Sequence, residues 1–306
     1  MSVGKKKVSA IIVLYNPDYK HLNLFCSHLK EQVDEIILVD NTPNCFVLSS
    51  DFKTSKFENV LYIPNGANLG IAEAQNIGIK KSIEIEADFS ILFDQDSDVE
   101  NDFISRMVDS YRLLSSVYNN IGSIGPAFID MKTNEYADII KTVGFKVCRV
   151  KPSIDRDYTE CDYMIASGSL YNNAVFNEIG YMNESLFIDY VDLEWGLRAQ
   201  KKGFKNFVID KVTMEHRIGD DFITIPFFNR NVNVHSDFRK YFIIRNSLYL
   251  SLYSGAKFNW RIIQFFKTFM YFILVIVFLD NRWKTFKIGL LALKDGLLKK
   301  MGKGSM

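Results

Sequence analysis

The run Val8-Ser-Ala-Ile-Ile-Val-Leu-Tyr15 passes directly into Asn16-Pro17-Asp18, and this junction sets the architecture of the chain. The run is short, β-branched and almost continuously apolar, which predicts a strand that is covered on both faces. Beyond the proline, apolar residues recur at helical spacing between Leu22 and Leu29. A second apolar run, Glu35–Asp40, then follows. The order strand, helix, strand favours a right-handed parallel crossover.

The same alternation continues further along the chain. Residues 60–63 and 89–93 are typical of buried strands, and residues 72–85 between them have helical periodicity. These patterns predict an α/β fold, Rossmann-like, with a mostly parallel sheet flanked by helices. Such sheets bind ligands beyond the carboxyl ends of their strands. We therefore expect one crevice to collect the polar segments that follow the strands: Tyr15-Asn16, Asp40-Asn41, Asn65 to Gly70 and Asp94 to Ser97.

Composition limits the domain count and the compartment. With 306 residues, 48% of them apolar, the chain can bury one large core, or one core with a small appendage. Its four cysteines, Cys26, Cys45, Cys148 and Cys161, show no short paired spacing. This argues against a zinc ribbon, a redox pair or a disulfide scaffold, and it fits a reducing cytoplasm.

The C-terminal part has a different character. The segment Ile262–Leu279 contains only Gln264, Lys267 and Thr268 among eighteen otherwise apolar residues, and the basic segment 284–300 follows. Eighteen largely apolar residues are borderline for spanning a bilayer, and Lys267 makes a full span costly. We therefore predict that residues 1–253 form the α/β domain and that residues 254–306 form a helical tail attached to a membrane surface in a monotopic manner.

The charge pattern supports a lipid partner over a nucleic acid. From Lys257 to Lys303 there are ten basic and two acidic residues, a local charge of +8, whereas the whole chain has a net charge of +1. This excess adjoins an apolar segment, so it favours anionic lipid over DNA or RNA. The alternative is a soluble helical hairpin that closes on the α/β domain or on a second copy in a homo-oligomer.

Two carboxylates follow a predicted strand directly. Asp94-Gln95-Asp96 comes after Ile91-Leu92-Phe93, and side chains two residues apart in extended backbone lie on the same side. Together they could hold Mg²⁺ or Mn²⁺ against a diphosphate, because hard cations prefer oxygen ligands. The alternative interpretation is a solvated acidic turn.

With these motifs in view, the chain resembles the family 2 glycosyltransferases of the GT-A fold, and among them the bacterial rhamnosyltransferases. The resemblance extends from about Val8 to Leu250 and rests on motifs that occur in the same order: Tyr15-Asn16-Pro17, Val39-Asp40-Asn41, Asn68 to Gly78, Asp94-Gln95-Asp96, Asp192-Leu-Glu-Trp195 and His216. It implies a metal-dependent enzyme that transfers a sugar from a nucleotide diphosphate with inversion.

The resemblance also implies roles for individual residues. Asp40 would bind the base, and Asp96 would be the most direct metal ligand. Contacts to the nucleotide sugar are implied for Tyr15, Asn16, Asp40, Asn68, Asp94 and Gln95, and metal ligation is implied for Asp94, Asp96 and His216.

Asp192 occupies the position of the family's catalytic base, which takes the proton of the acceptor hydroxyl. Val191 stands where the family motif has Glu, so Asp189 and Glu194 remain competitors for this role, and Asp192 could instead be only an N-cap. Trp195 and Glu194 are expected in the acceptor site, with a core position as the alternative for Trp195.

The implied reaction is transfer of L-rhamnose from dTDP-L-rhamnose to a lipid-linked saccharide in the biosynthesis of surface polysaccharide of the O-antigen type. The implied location is the cytoplasmic face of the bacterial inner membrane. A UDP-sugar donor is the main alternative. A nucleotidyltransferase usually has a glycine-rich, basic loop after its first strand, and Tyr15-Asn-Pro-Asp18 has neither property. A non-catalytic scaffold would leave the clustered acids without a function.

Overall fold

The computed structural model describes residues 6–52, 57–131, 133–216, 221–225, 230–278 and 281–305, with the backbone alone described for His216 and for residues 221–225 and 230–234. In chain order the elements are β1 (Val8–Leu14), α1 (Tyr19–Leu29), β2 (Glu35–Asp40), β3 (Val60–Pro64), α2 (Ile71–Glu84), β4 (Phe89–Asp94), α3 (Phe103–Ser115), β5 (Ile121–Asp130), β6 (Glu135–Tyr136), β7 (Ile139–Val143), β8 (Lys146–Val150), β9 (Tyr158–Cys161), β10 (Leu170–Asn172), α4 (Val175–Ile179), α5 (Val191–Lys201), β11 (Lys205–His216), β12 (Asp221–Ile225), β13 (Arg230–Val234), α6 (Asp237–Tyr253), α7 (Phe258–Phe278) and α8 (Arg282–Leu297).

Within the described part of the chain, the main sheet has nine strands in the order β3-β2-β1-β4-β10-β5-β11-β9, and β6 pairs with β5. Strands β3, β2, β1 and β4 are parallel neighbours, and β11 is parallel to β5. The short strand β10 lies antiparallel between β4 and β5. The predicted α/β fold, with a mostly parallel sheet flanked by helices, is confirmed.

Burial on both faces explains the apolar run of β1. Its residues Ala10, Ile12 and Leu14 belong to the core beneath α1 and α3, whereas Ile11 and Val13 belong to the core beneath α2, α4 and α5. Alternate residues thus enter two separate cores, which accounts for the almost continuous apolar run. Gly78 of α2 lies against this strand, and a Cβ there would be 2.3 Å from Ile11 Cγ2. The resulting close packing of α2 sets where its N-terminus meets the crevice.

The last three helices pack against one another. The core between α6, α7 and α8 contains Tyr241, Phe242, Phe272 and Ala292. By length and composition α7 could cross a membrane. It buries one stripe, Trp260, Gln264, Thr268, Phe272 and Val275, and it exposes another, Phe266, Met270, Ile273 and Val277. The division of the chain at residues 253 and 254 stays a prediction.

Candidate active site

Gln95 joins the ends of two central strands. Its Oε1 accepts from Tyr15 N at 2.7 Å, and its Nε2 donates to Tyr15 O at 3.2 Å. Because Tyr15 follows β1 and Gln95 follows β4, this pair of hydrogen bonds fixes the two strand ends relative to each other. The Tyr15 side chain is 48% exposed at this edge. Contacts of Tyr15 and Gln95 with a nucleotide sugar stay predictions.

Asp40 lies at the end of β2 with both carboxylate oxygens in use. Thr42 N donates to one oxygen at 2.7 Å, and Tyr62 Oη donates to the other at 2.9 Å. Burial raises the pKa of Tyr62, and its hydrogen bonds to Cys45 and Asp40 act in the same direction, so this phenol stays a donor. Asn16 N donates to Thr42 Oγ1 at 2.8 Å, which places Asn16 beside this network. Asp40 is fully buried, and its contact with a base stays a prediction.

Asn68 turns the chain into α2. Its Oδ1 accepts from Gly70 N at 3.0 Å, and Gly70 has a φ of 91°, which favours glycine. A Cβ at Gly70 would lie 2.7 Å from both the ring and the carbonyl oxygen of Phe187. Asn41 Nδ2 donates to Gly70 O at 3.0 Å, so this turn is tied to the end of β2. In this structure Asn68 organises the crevice, and direct contact with a ligand stays a prediction.

Asp94 and Asp96 lie at the carboxyl end of β4, as predicted. Asp94 is half-buried, and Asp96 is exposed. His216 ends β11 in register with Asp130 of β5, but its side chain lies outside the described residues. Among the side chains that the structure describes, no group of three metal-ligating residues occurs. Two carboxylates nevertheless fit Mg²⁺ or Mn²⁺, because such ions take many of their oxygen ligands from substrate phosphates and water.

Asp192 lies half-buried in the first turn of α5. Its carboxylate accepts from Leu193 N at 2.8 Å and from Ala166 N at 3.3 Å. Burial raises the pKa of Asp192 to about 6; the negative charges of Asp94 and Asp189 also raise it, and the two backbone hydrogen bonds oppose them. A carboxylate with such a pKa is a stronger base than a solvated one and is still ionised near neutral pH.

The two competing acids are each paired with an arginine. Arg239 Nη2 donates to Asp189 Oδ1 at 2.7 Å. Arg198 contacts both oxygens of Glu194, at 2.9 and 3.0 Å. Asp192 has no ion pair within the described part of the chain. The N-cap residue of α5 is Tyr190, so the alternative that Asp192 is an N-cap is wrong.

A cavity of about 780 Å³ opens beside Asp192. One wall comes from the β7–β8 hairpin and from Tyr163 to Ile165, and the opposite wall comes from α6 and α7. Its ionisable lining residues, apart from tyrosines, are Asp138, Arg149, Asp189, Asp192, His235 and Lys267. The cavity is large enough for a saccharide, and Asp192 lines it.

The family model described as "Glycosyl transferase family 2" matches residues 9–180 of this chain. The chain belongs to glycosyl transferase family 2. This glycosyltransferase is 36% identical over 297 residues to the dTDP-rhamnosyl transferase RfbF of Shigella flexneri, with 95% of both chains covered. It is 25% identical over 251 residues to the low-salt glycan biosynthesis hexosyltransferase Agl10 of Haloferax volcanii, covering 79% of this chain and 76% of that protein.

Solved structures show the same fold. S. aureus TarS 1–349 in complex with UDP-GlcNAc aligns with a TM-score of 0.58 and 13% identity, over 95% of this chain and 81% of that one. GalNAc-T7 with UDP, GalNAc and Mn²⁺ aligns with a TM-score of 0.54 and 16% identity, over 71% of this chain and 44% of that one. At these identities the likeness establishes the fold of the glycosyltransferase and leaves its substrates open.

The structure corrects one of the two predicted acceptor contacts, that of Trp195. Trp195 is 1% exposed, its Nε1 donates to Gly180 O at 2.8 Å, and its ring packs edge-on against Tyr171. It is a core residue, so its predicted place in the acceptor site is wrong and the alternative, a core position, is confirmed. Glu194 uses both carboxylate oxygens on Arg198 and does not line the cavity beside Asp192. Glu194 therefore stabilises α5, and its contact with an acceptor stays a prediction.

The sequence interpretation missed a segment that links the two acidic elements. Ala166 N donates to Asp192, and the next residue, Ser167, accepts from Asp94 N at 3.2 Å through its Oγ. Ser167 Oγ also lies 2.8 Å from Ser97 Oγ. Two successive residues thus set the relative position of the candidate base and the Asp94-Gln95-Asp96 motif. The small polar run Ser167-Gly-Ser169 was the available signal, because such a run favours a tight turn between buried elements.

Proposed function

We propose that this glycosyltransferase transfers L-rhamnose from dTDP-L-rhamnose, with inversion, to a lipid-linked saccharide in the biosynthesis of surface polysaccharide of the O-antigen type. The main support is the position of Asp192. Among the described residues near the start of α5, Asp189 and Glu194 each form an ion pair and Asp192 forms none, and Asp192 lines the large cavity. The rhamnose donor is supported by the 36% identity to a dTDP-rhamnosyl transferase over 95% of the chain.

In the proposed reaction Asp192 accepts the proton of the acceptor hydroxyl as that oxygen attacks the anomeric carbon from the face opposite the nucleotide. The bond from the anomeric carbon to the donor diphosphate breaks, and dTDP leaves. Asp94 and Asp96, with His216, would hold Mg²⁺ or Mn²⁺. The bound ion would offset the negative charge that develops on the diphosphate.

The exposed apolar stripe of α7 and the basic segment around α8 support attachment to a membrane surface. Phe266 and Met270 are 67% and 61% exposed, which is unusual for large apolar side chains of a helix that packs against other helices. Helix α8, which packs against α7, and the residues that flank it contain several lysines. Each lysine near an anionic lipid surface contributes about 1 kcal/mol to binding. We place the enzyme on the cytoplasmic face of the bacterial inner membrane, as a peripheral or monotopic protein.

Thermal unfolding tests the donor assignment. Purified enzyme is heated with dTDP-L-rhamnose, UDP-sugars or GDP-sugars, each with and without Mn²⁺, because a ligand that binds only the native state raises the midpoint. We expect a metal-dependent rise with dTDP-L-rhamnose that Asp96→Ala abolishes and that the neighbouring variant Asp98→Ala retains. A larger rise with a UDP-sugar would contradict the rhamnose donor, and no rise with any nucleotide would contradict the proposed site.

A further inference from the structure

The acids of the cavity beside Asp192 are mostly neutralised by nearby cations. Asp138 pairs with Arg149 at 3.1 Å and with Lys151 at 3.3 Å. Asp189 pairs with Arg239 at 2.7 Å. Asp192 remains as the ionised group that the proposed reaction uses. Asp138 and Asp189 are therefore already neutralised and are not available to a further cation.

Lys267 is such a cation. It is one of two charged residues in α7, and the other, Arg261, donates to the backbone oxygens of Ser251 and Leu252. Lys267 lines the cavity and makes no hydrogen bond or ion pair within the described part of the chain. Partial burial lowers the pKa of Lys267, and the charge of Arg149 lowers it further, so the two cations repel each other across the same space. An anion between them would relieve this repulsion.

The cavity also continues into the exposed apolar stripe of α7. Met270, one turn beyond Lys267, lines the cavity and is 61% exposed. Ile273 and Val277 extend the exposed stripe along the same helix. An apolar chain that leaves the cavity past Met270 would therefore remain in contact with an apolar surface.

We propose that Lys267 and Arg149 bind the phosphate or diphosphate of a polyprenyl-type acceptor, whose chain runs over Met270 and whose saccharide enters the cavity toward Asp192. The inference rests on the proposed function, because it names the acceptor chemistry at that same site. A charge-assisted contact from each cation would position the acceptor, while Asp192 performs the proton transfer.

Farnesyl diphosphate is a suitable probe because it carries the anion and a short apolar chain without any sugar. Its affinity for the full-length protein is measured by calorimetry for wild type, Lys267→Met and Lys287→Met. Lys287 is an exposed lysine of α8 that does not line the cavity, so it controls for general loss of positive charge. We expect roughly tenfold weaker binding in Lys267→Met, which corresponds to loss of one charge-assisted contact, and no change in Lys287→Met.

Two further measurements separate the sources of the anion. Farnesol, which lacks the phosphates, should bind wild type and Lys267→Met equally. Vesicles of phosphatidylglycerol should bind both proteins equally, since the subsite is for the acceptor and not for bulk lipid headgroups. Equal affinity of wild type and Lys267→Met for farnesyl diphosphate overturns the proposal. A loss of vesicle binding in Lys267→Met as large as the loss for farnesyl diphosphate also overturns it.

The result is distinguishable from failure of the donor assignment. Lys267→Met should keep the full dTDP-L-rhamnose stabilisation, because the residue lies on the acceptor side of Asp192. Weakened farnesyl diphosphate binding supports the anion subsite even if a different nucleotide sugar proves to be the donor. Unchanged farnesyl diphosphate binding, in a variant that is stabilised normally by dTDP-L-rhamnose, overturns the subsite alone.

Discussion

Asn246 Nδ2 of α6 lies 2.9 Å from the carbonyl oxygen of Asp189, and it also lies within 3.0 Å of the carbonyl oxygens of Leu186 and Ile188. The backbone between these residues is strained. Phe187, Asp189 and Tyr190 have φ values of 66°, 62° and 67°, although none of them is glycine. Such conformations cost on the order of 1–3 kcal/mol each and persist only where the surroundings hold them. One buried amide therefore helps to hold the segment that leads into Asp192.

Replacing this amide tests its positioning role. Asn246→Leu removes the donors but keeps the number and branching of the side-chain heavy atoms, so we expect the free energy of unfolding to fall by about 1–3 kcal/mol. We also expect kcat to fall while the KM for the donor is retained, because Asp192 loses its fixed approach to the acceptor. Urea unfolding and initial rates give both quantities, and Asn177→Leu on the exposed surface of α4 is the matched control. A variant that is destabilised but keeps its kcat would contradict positioning and leave only a structural role.

Asp192→Asn should abolish most of the activity without loss of donor binding. Removing a general base typically lowers the rate by about 10²–10⁴-fold. Stability near neutral pH should not fall with it, since the native fold raises the pKa of Asp192 and therefore does not favour its charged form. Rates are measured at saturating donor, and the dTDP-L-rhamnose thermal shift confirms that the nucleotide site is intact. If Glu194→Gln lowers kcat as strongly as Asp192→Asn, the assignment of the base is wrong.

The pH dependence of the rate follows from the same carboxyl group. A general base must be deprotonated, so kcat/KM should fall on the acid side of about pH 6, by about tenfold per pH unit at the limit. Asp189 is one of the charges that raise the pKa of Asp192. Asp189→Asn should therefore move the acid limb to lower pH, whereas a change at the distant exposed acid Asp109 should not move it. A limb that is unaffected by Asp189→Asn would contradict electrostatic coupling between the two acids.

The sequence was sufficient for the first half of the sheet. Strands β1, β2, β3 and β4 are each a short apolar run that ends in a turn. Their carboxyl ends had to share one edge once the crossovers were parallel. The antiparallel insertion of β10 was not predictable in this way. Its three residues, Leu170–Asn172, are too few to show a period, and its place between β4 and β5 depends on pairing with strands far away in the chain.

The choice of the candidate base also could not be made from the sequence alone. The sequence left Asp189, Asp192 and Glu194 as competitors because their spacing alone does not reveal their partners. Arg239, which neutralises Asp189, comes fifty residues later in the chain and reaches it only through the packing of α6. Trp195 was misplaced for a related reason, since a tryptophan in an amphipathic helix can face either a ligand or the core. Only the contact with Gly180 and Tyr171 distinguishes these positions.

The exposed stripe of α7 allows a direct test of membrane attachment. Phe266 and Ile273 are 67% and 58% exposed, and burial of such side chains in lipid contributes about 1.5–3 kcal/mol each. The double variant Phe266→Asp, Ile273→Asp should therefore bind anionic vesicles at least about tenfold more weakly, as measured by co-sedimentation. The dTDP-L-rhamnose thermal shift should be unchanged, because neither residue lines the crevice. Leu24→Asp on α1, where the side chain is 54% exposed, is the matched control for adding a charge to an apolar surface.

The same variant discriminates between a lipid and a second copy of the chain. If the stripe covers a partner subunit, the double variant should change the molecular mass in solution while vesicle binding is absent in wild type and variant alike. If the stripe binds lipid, wild type and variant should have the same mass without vesicles and differ only when vesicles are present. Raising the salt concentration should weaken vesicle binding of the wild type, because the lysines of α8 act through screened charge. Vesicle binding that resists both salt and the two substitutions would contradict attachment through α7 and α8.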